Sequence, residues 1–115
     1  MHRYKELNAW KQSRLFCTLI YQITEIFPQS ELFGLTAQLR RASISISSNI
    51  AEGASRSSNK EFCRFLEIAI GSAYEVETQL IIATDLNFLS EENSKELLLK
   101  IELIIKMLSK LKSSF

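Results

Sequence analysis

Apolar residues recur along this chain in alternating steps of three and four, the spacing that keeps one face of an α-helix turned toward its neighbours. Ala9, Ser13, Phe16, Ile20, Ile23 and Phe27 set the rhythm, and Pro28 ends it. Leu15, Leu19 and Ile26 widen that stripe to one side, which predicts contact with more than one partner helix. The same steps return in Leu35, Leu39, Ala42, Ile46, Asn49 and Gly53. They then hold for three heptads in Phe62, Leu66, Ala69, Ala73, Val76, Leu80 and Ala83. Leu97, Ile101, Ile104, Leu108 and Leu111 form the last stripe, with Leu98 and Ile105 beside it. The pattern predicts four helices over about residues 7–27, 35–53, 59–88 and 91–112.

One segment reads two ways. Ser43, Ile44, Ser45, Ile46 and Ser47 alternate like a half-buried strand. A helix is the better reading, because a single short strand would have no second strand to pair with. Its small side chains, with Ser48 and Ala51, permit close helix approach, and serine hydroxyls can bond back to carbonyls of their own helix.

Helix ends are marked locally. Ser58 with Glu61 spells a capping box, in which the hydroxyl accepts from the amide three residues on and the carboxylate reaches back. Gly53 supplies the permissive backbone that often ends a helix. Ser90 followed by Glu91 and Glu92 suits a cap and an acidic first turn, and Lys106, Lys110 and Lys112 suit the other end of that helix. Short connections between four such helices predict an all-α fold, an antiparallel up-and-down four-helix bundle. Beside the main stripe of the third helix runs Phe65, Ile68, Ser72, Glu75, Gln79, Ile82 and Leu86, apolar at its ends and polar in the middle. Glu75 and Gln79 are therefore candidates for a polar contact inside the bundle or between subunits, where unpaired charge is costly, with plain solvation as the alternative.

Composition narrows the class. At 115 residues, 46% hydrophobic and 23% charged, with three Gly and one Pro, the chain suits one helical domain over residues 1–115. The start has no apolar leader and no run is long enough for a membrane span, so the expected location is cytoplasmic, without membrane partners. Cys17 and Cys63 have no metal-ligand spacing and read as small buried hydrophobes. His2, the only histidine, falls in an expected frayed tail, and Trp10 reads as an interior or interface anchor. There is no glycine-rich phosphate loop, no metal-binding cluster and no Cys–His pair, so no enzyme, cofactor or metal is expected.

Charge changes the picture. The net charge is only +1, yet residues 1–39 carry +1, 40–64 carry +3, 65–96 carry −6 and 97–115 carry +3. An up-and-down bundle would gather Arg3, Lys5, Arg56, Lys60, Arg64, Lys110 and Lys112 at one end, beside the hydroxyls of Ser55, Ser57 and Ser58. The opposite end would hold Glu25, Glu31, Asp85, Glu91, Glu92 and Glu96. The basic end is a candidate for binding RNA or DNA phosphates without reading bases, the alternative being ordinary solvated lysines and arginines.

The segments SSNIAEG at 47–53 and KEFCRFLEIAIGSAYEVETQL at 60–80 resemble the 23S ribosomal RNA intervening-sequence proteins, also called the S23 ribosomal protein family. The resemblance extends through FPQSELFGLTAQLRRA at 27–42 and LNAWK at 7–11, nearly the whole chain. It implies a small bacterial four-helix bundle and, as in relatives that form rings of five, a homopentamer in which a modest basic patch repeats into a continuous field. The accessory variability determinant of diversity-generating retroelements is related, and by analogy adds a reverse transcriptase as a possible protein partner. Arg40, Arg41, Asn49 and Glu52 match the family motif, and are read with Glu75 and Gln79 as a polar lock within or between bundles, with ligand binding as the alternative for the motif residues. Ser47 departs from the proline common at that position, so the resemblance does not carry a proline kink over to this helix, and the effect of Ser47 stays open. The expected function is a non-enzymatic oligomeric module that binds nucleic acid, the alternative being a structural or protein-interaction oligomer. A ribosomal protein proper would carry long basic tails that this chain lacks.

Overall fold

In the computed structural model, which describes residues 2–115, the four apolar stripes become four α-helices. These are α1 Asn8–Thr24, α2 Leu35–Ala54, α3 Asn59–Asp85 and α4 Glu91–Ser113, with short 3-10 turns at Tyr4–Glu6 and Gln29–Glu31. There is no strand among the described residues. The Ser43–Ser47 alternation lies wholly inside α2, where the hydroxyls find partners a strand would not give them. Ser43 donates to the Arg40 carbonyl at 3.0 Å, Ser47 to that of Ile44 at 3.3 Å, and Ser45 meets Ser72 of α3 at 2.8 Å. The helix runs unbroken through Ser47.

Contacts at the two ends show successive helices running in opposite directions. At one end the backbone N–H of His2 donates to the Ala54 carbonyl at 2.9 Å, and the Phe62 and Phe115 rings lie 5.2 Å apart. This gathers the start of α1, the α2–α3 turn and the end of α4. At the other end Phe27 and Phe88 rings lie 5.9 Å apart, and Thr84 donates to Ser94 at 2.8 Å. Ile20, Leu39, Ile46, Ile50, Phe62, Leu66, Val76, Leu80, Leu97, Ile101 and Leu108 are sealed from solvent between these ends.

The termini of the helices depart from the sequence reading in instructive ways. α1 stops at Thr24, before Pro28, and Thr24 itself bonds back to the Ile20 carbonyl at 2.7 Å. Gly53 does not supply a left-handed cap: it lies inside α2 with an ordinary helical sign of φ, and is small because α3 crosses there. The residue that takes the left-handed conformation is Asn87, at φ 63°. Around it Asn87 N–H donates to the Thr84 carbonyl and Phe88 N–H to that of Ala83, at 3.0 and 2.9 Å, the pair of bonds that closes a helix in a Schellman motif.

Only half of the expected capping box forms: Ser58 accepts from the Glu61 amide at 3.1 Å, while the Glu61 carboxylate faces Arg64 at 4.0 Å. Ser90 caps α4 in the same way through the Asn93 amide. α2 is capped by Glu31, whose Oε1 accepts from the Leu35 amide at 3.1 Å. Leu15 and Ile26, expected against partner helices, are 59% and 75% exposed, because α1 ends too early for Ile26 and the α1–α4 seam stays open beside Leu15. His2 is packed rather than frayed. Its ring lies 4.8 Å from Phe62 and 4.9 Å from Phe115, filling the gap that the aromatic end of the core leaves.

Candidate nucleic-acid interface

Seven cations make up the basic end read from the sequence, and the fold sorts them into separate neighbourhoods. The first turn of α3 carries Lys60 and Arg64 one turn apart, and with Glu61, Cys63 and Glu67 they line one open depression. Lys112 of α4 joins them through an ion pair to Glu67 at 3.1 Å. The Cys63 thiol, half-buried, donates to the Lys112 carbonyl at 3.7 Å, which holds the last turn of α4 against α3. Arg56 sits on the α2–α3 turn with its guanidinium 4.8 Å above the Phe65 ring and 3.5 Å from Glu52.

The remaining three are placed apart. Arg3 pairs with Glu6 at 3.7 Å. Lys5 belongs to the flank of α1, where it shares a depression with Trp10, Lys11 and Arg14. Lys110 lies two residues from Lys112, about 200° round α4 at the helical 100° per residue, and so faces away from it.

Carboxylates accompany this end to a degree that charge blocks along the sequence did not reveal. Arg3, Arg56, Arg64 and Lys112 each have a Glu within 4.0 Å. All four pairs are largely open to water, where such contacts contribute little to stability but do lower the local positive potential. Lys60, Lys110 and Lys5 have no ion pair among the described residues. Lys11 and Arg14 join that unpaired set and were not singled out from the sequence. The signal was there, since Arg14 stands four residues after Trp10 and therefore on the same helical face.

The residues of the predicted polar lock form two different arrangements. Arg40 bridges α2 to the end of α1: its Nε donates to Thr24 Oγ1 at 2.9 Å, its Nη2 to the Tyr21 carbonyl at 3.3 Å, and its guanidinium lies 4.7 Å over the Tyr21 ring. A cation there bonds one carbonyl and one hydroxyl at the negative end of α1. Along the α2–α3 seam, Asn49 Nδ2 donates to the Ser45 carbonyl and hydroxyl, and Ser45 meets Ser72. Further along it, Gln79 Nε2 donates to Glu75 at 3.3 Å and to Gln38 at 3.4 Å, while Gln79 Oε1 is buried without a partner. Gln38, Arg41, Ser45, Ser72 and Glu75 line a polar groove of about 310 Å³ on this seam. Within one copy Asn49 and Glu52 do not meet, because Glu52 turns outward to Arg56.

No group of three or more His, Cys, Asp or Glu residues placed to hold a metal ion occurs among the described residues, and no helix there is long and apolar enough to cross a membrane.

Fold and site together define an all-α, four-helix module with a mixed-charge end and a polar seam. The profile of the 23S rRNA-intervening sequence protein family matches residues 5–110, and the chain belongs to that family. Its fold is similar to the crystal structure of a protein of unknown function from the S23 ribosomal protein family of Bacteroides thetaiotaomicron. The TM-score is 0.84 at 23% identity, over 91% of this chain and 95% of that one. Comparison with curated proteins gives no match.

Proposed function

We propose that this chain is a non-catalytic helical module that assembles with copies of itself and holds RNA or DNA, with little sequence preference, at the end where residues 2–5, the α2–α3 turn and the last turn of α4 converge. The observation that carries this reading is that convergence, which brings Arg56, Lys60, Arg64 and Lys112 onto adjoining elements that sequence separates by up to 56 positions. Phosphate contact needs cations and hydroxyls without base-reading geometry, and the α2–α3 turn supplies both. Repetition of the patch by rotational symmetry would raise a modest field into a substantial one.

The test is binding of mixed-sequence RNA by the intact protein across a salt series. Affinity should fall steeply as salt rises, since each phosphate neutralised contributes about 0.7–0.9 to the slope of log K against log salt. Arg56→Glu with Lys60→Glu should abolish binding, and solution mass should exceed that of one copy. Salt-independent binding, or none, removes the reading.

A second reading is a structural or protein-binding oligomer. Ile68, Tyr74, Ile81 and Ile82 on α3, and Leu99 and Leu103 on α4, are all exposed by 40% or more and favour burial against protein. A nuclease-treated sample that keeps its assembly and a single protein companion, while ignoring RNA, would select it.

A further inference from the structure

The flank of α1 carries a cationic cluster that differs in kind from the end just described. Lys5, Trp10, Lys11, Arg14 and Leu15 line one open depression of about 680 Å³. None of its three cations forms an ion pair among the described residues, whereas Arg64 and Lys112 each have a glutamate at hand. A cation with a carboxylate neighbour must share or surrender it when a phosphate arrives. An unpaired one gives up no such partner as it displaces the counterions condensed on a phosphate, which favours binding. Three such cations, Lys5, Lys11 and Arg14, share one depression beside α1.

One aromatic ring, Trp10, lines the depression and is braced from beside it. Tyr4 meets Trp10 edge-on, with centroids 5.2 Å apart and an interplanar angle of 75°, and Arg14 stands 5.7 Å from the Trp10 centroid. Leu15, largely exposed one residue on from Arg14, extends the apolar part. Cations around an aromatic and an aliphatic surface match what a single strand presents: phosphates at regular intervals and bases free of partners, each with a stackable face. A duplex keeps its bases stacked on one another and offers this cluster phosphates alone. An acidic peptide offers charge but no stackable face.

We infer that the Lys5–Trp10–Lys11–Arg14 cluster is a binding site for single-stranded nucleic acid, phosphates on the three cations and a base against Trp10 and Leu15. The inference rests on the nucleic-acid reading above and adds to the contact at the α3 end a second one on the α1 flank. Trp10 acts here as a ligand surface as well as an anchor.

Because Trp10 is the only tryptophan, its fluorescence reports on this site alone. The experiment titrates the full chain with an oligouridylate of ~20 nucleotides, an RNA duplex of equal length and polyglutamate, following Trp10 emission and, in parallel, anisotropy of a labelled strand. The single strand should quench Trp10 saturably, at the concentrations that raise anisotropy. It should bind at least about fivefold more tightly than the duplex, the lower end of what one stacked base contributes. Lys11→Glu with Arg14→Glu, both exposed positions, should weaken it by at least tenfold while far-ultraviolet circular dichroism stays unchanged. Anisotropy that rises with no change in Trp10 emission and no effect of the double substitution overturns this inference and leaves the α3-end reading standing. Equal quenching by polyglutamate overturns it in favour of an acidic protein partner. Absence of RNA binding by either signal removes both readings.

Discussion

Gly53 lies so close to Phe65 that a methyl group on its Cα would stand 2.6 Å from Phe65 Cβ and 2.9 Å from a ring carbon of Phe62. The crossing of α2 and α3 next to their connecting turn depends on that missing side chain. Since the Phe65 Cβ is fixed to its helix, relief would require the two helices to part. Gly53→Ala should therefore destabilise the fold by about 1–3 kcal/mol, the usual cost of overpacking, lowering the melting temperature by roughly 4 °C per kcal/mol. Gly71, in the middle of α3 with open space where a Cβ would go, is the internal control. Gly71→Ala should stabilise by about 0.5–1 kcal/mol, the difference between the two residues in a helix. Thermal melts of both variants at low protein concentration check the pair.

Arg40 closes α1 from α2 by two hydrogen bonds and a ring contact, so its removal leaves the Tyr21 carbonyl and the Thr24 hydroxyl each with one partner fewer. Arg40→Ala should cost about 1–2 kcal/mol in urea unfolding. Arg40→Lys should recover less than half, because an ammonium cannot present the planar fork that reaches Thr24 and the Tyr21 carbonyl together.

Ser58 and Ser90 each satisfy one otherwise free amide, at 3.1 Å in both cases. Ser58→Ala and Ser90→Ala should each cost about 1 kcal/mol, and Ser→Gly at either site only a few tenths. Glu61→Ala should shift stability far less than Ser58→Ala, because the Glu61 side chain does not reach the cap. Equal losses from Glu61→Ala and Ser58→Ala would restore the full capping box.

Gln79 is more than nine-tenths buried with an unpartnered Oε1, and its two hydrogen bonds are long and go to the exposed residues Glu75 and Gln38. A methionine of similar length would remove the orphan acceptor and release partners that water can satisfy. Gln79→Met should stabilise the single bundle by about 1 kcal/mol. If it also weakens assembly, read from solution mass, the polar seam serves contacts between copies, and stability and association will move in opposite directions.

Glu52 separates two roles at one residue. Its contact within the copy is a surface pair with Arg56, so Glu52→Gln should change the melting temperature by no more than an exposed ion pair allows, under about 1 kcal/mol. Under the proposed function it should also tighten RNA binding a few-fold, by freeing Arg56. A large loss of stability or of assembly would assign Glu52 to a lock between helices or subunits.

Helix number, fold class and most of the sealed interior were legible from spacing, since Phe62, Leu66, Ala69, Ala73, Val76, Leu80 and Ala83 all fall on the core side of α3. The ends were legible only in part. Nothing local distinguishes Gly53 as a close-approach residue from Gly53 as a cap, because both uses exploit the same missing Cβ. Asn87 in DLNFLS is the commonest non-glycine type for a left-handed cap, yet the apolar spacing around it continues the helical pattern to residue 88. The basic end was read from which residues are cationic, and that reading could not see Glu52, Glu61, Glu67 and Glu6 folding back onto their partners.

By itself the sequence determined four amphipathic helices, their order, and the sides they bury, because these follow from a periodicity carried by adjacent residues. Only the tertiary structure decided which charges are free. Lys112 reaches Glu67 across two helices, Arg40 reaches back to α1, and Lys5 falls in with Lys11 and Arg14. Such pairings depend on how far one helix is rotated and slid against another, a quantity set by the packing of the core as a whole and written in no single stretch of it.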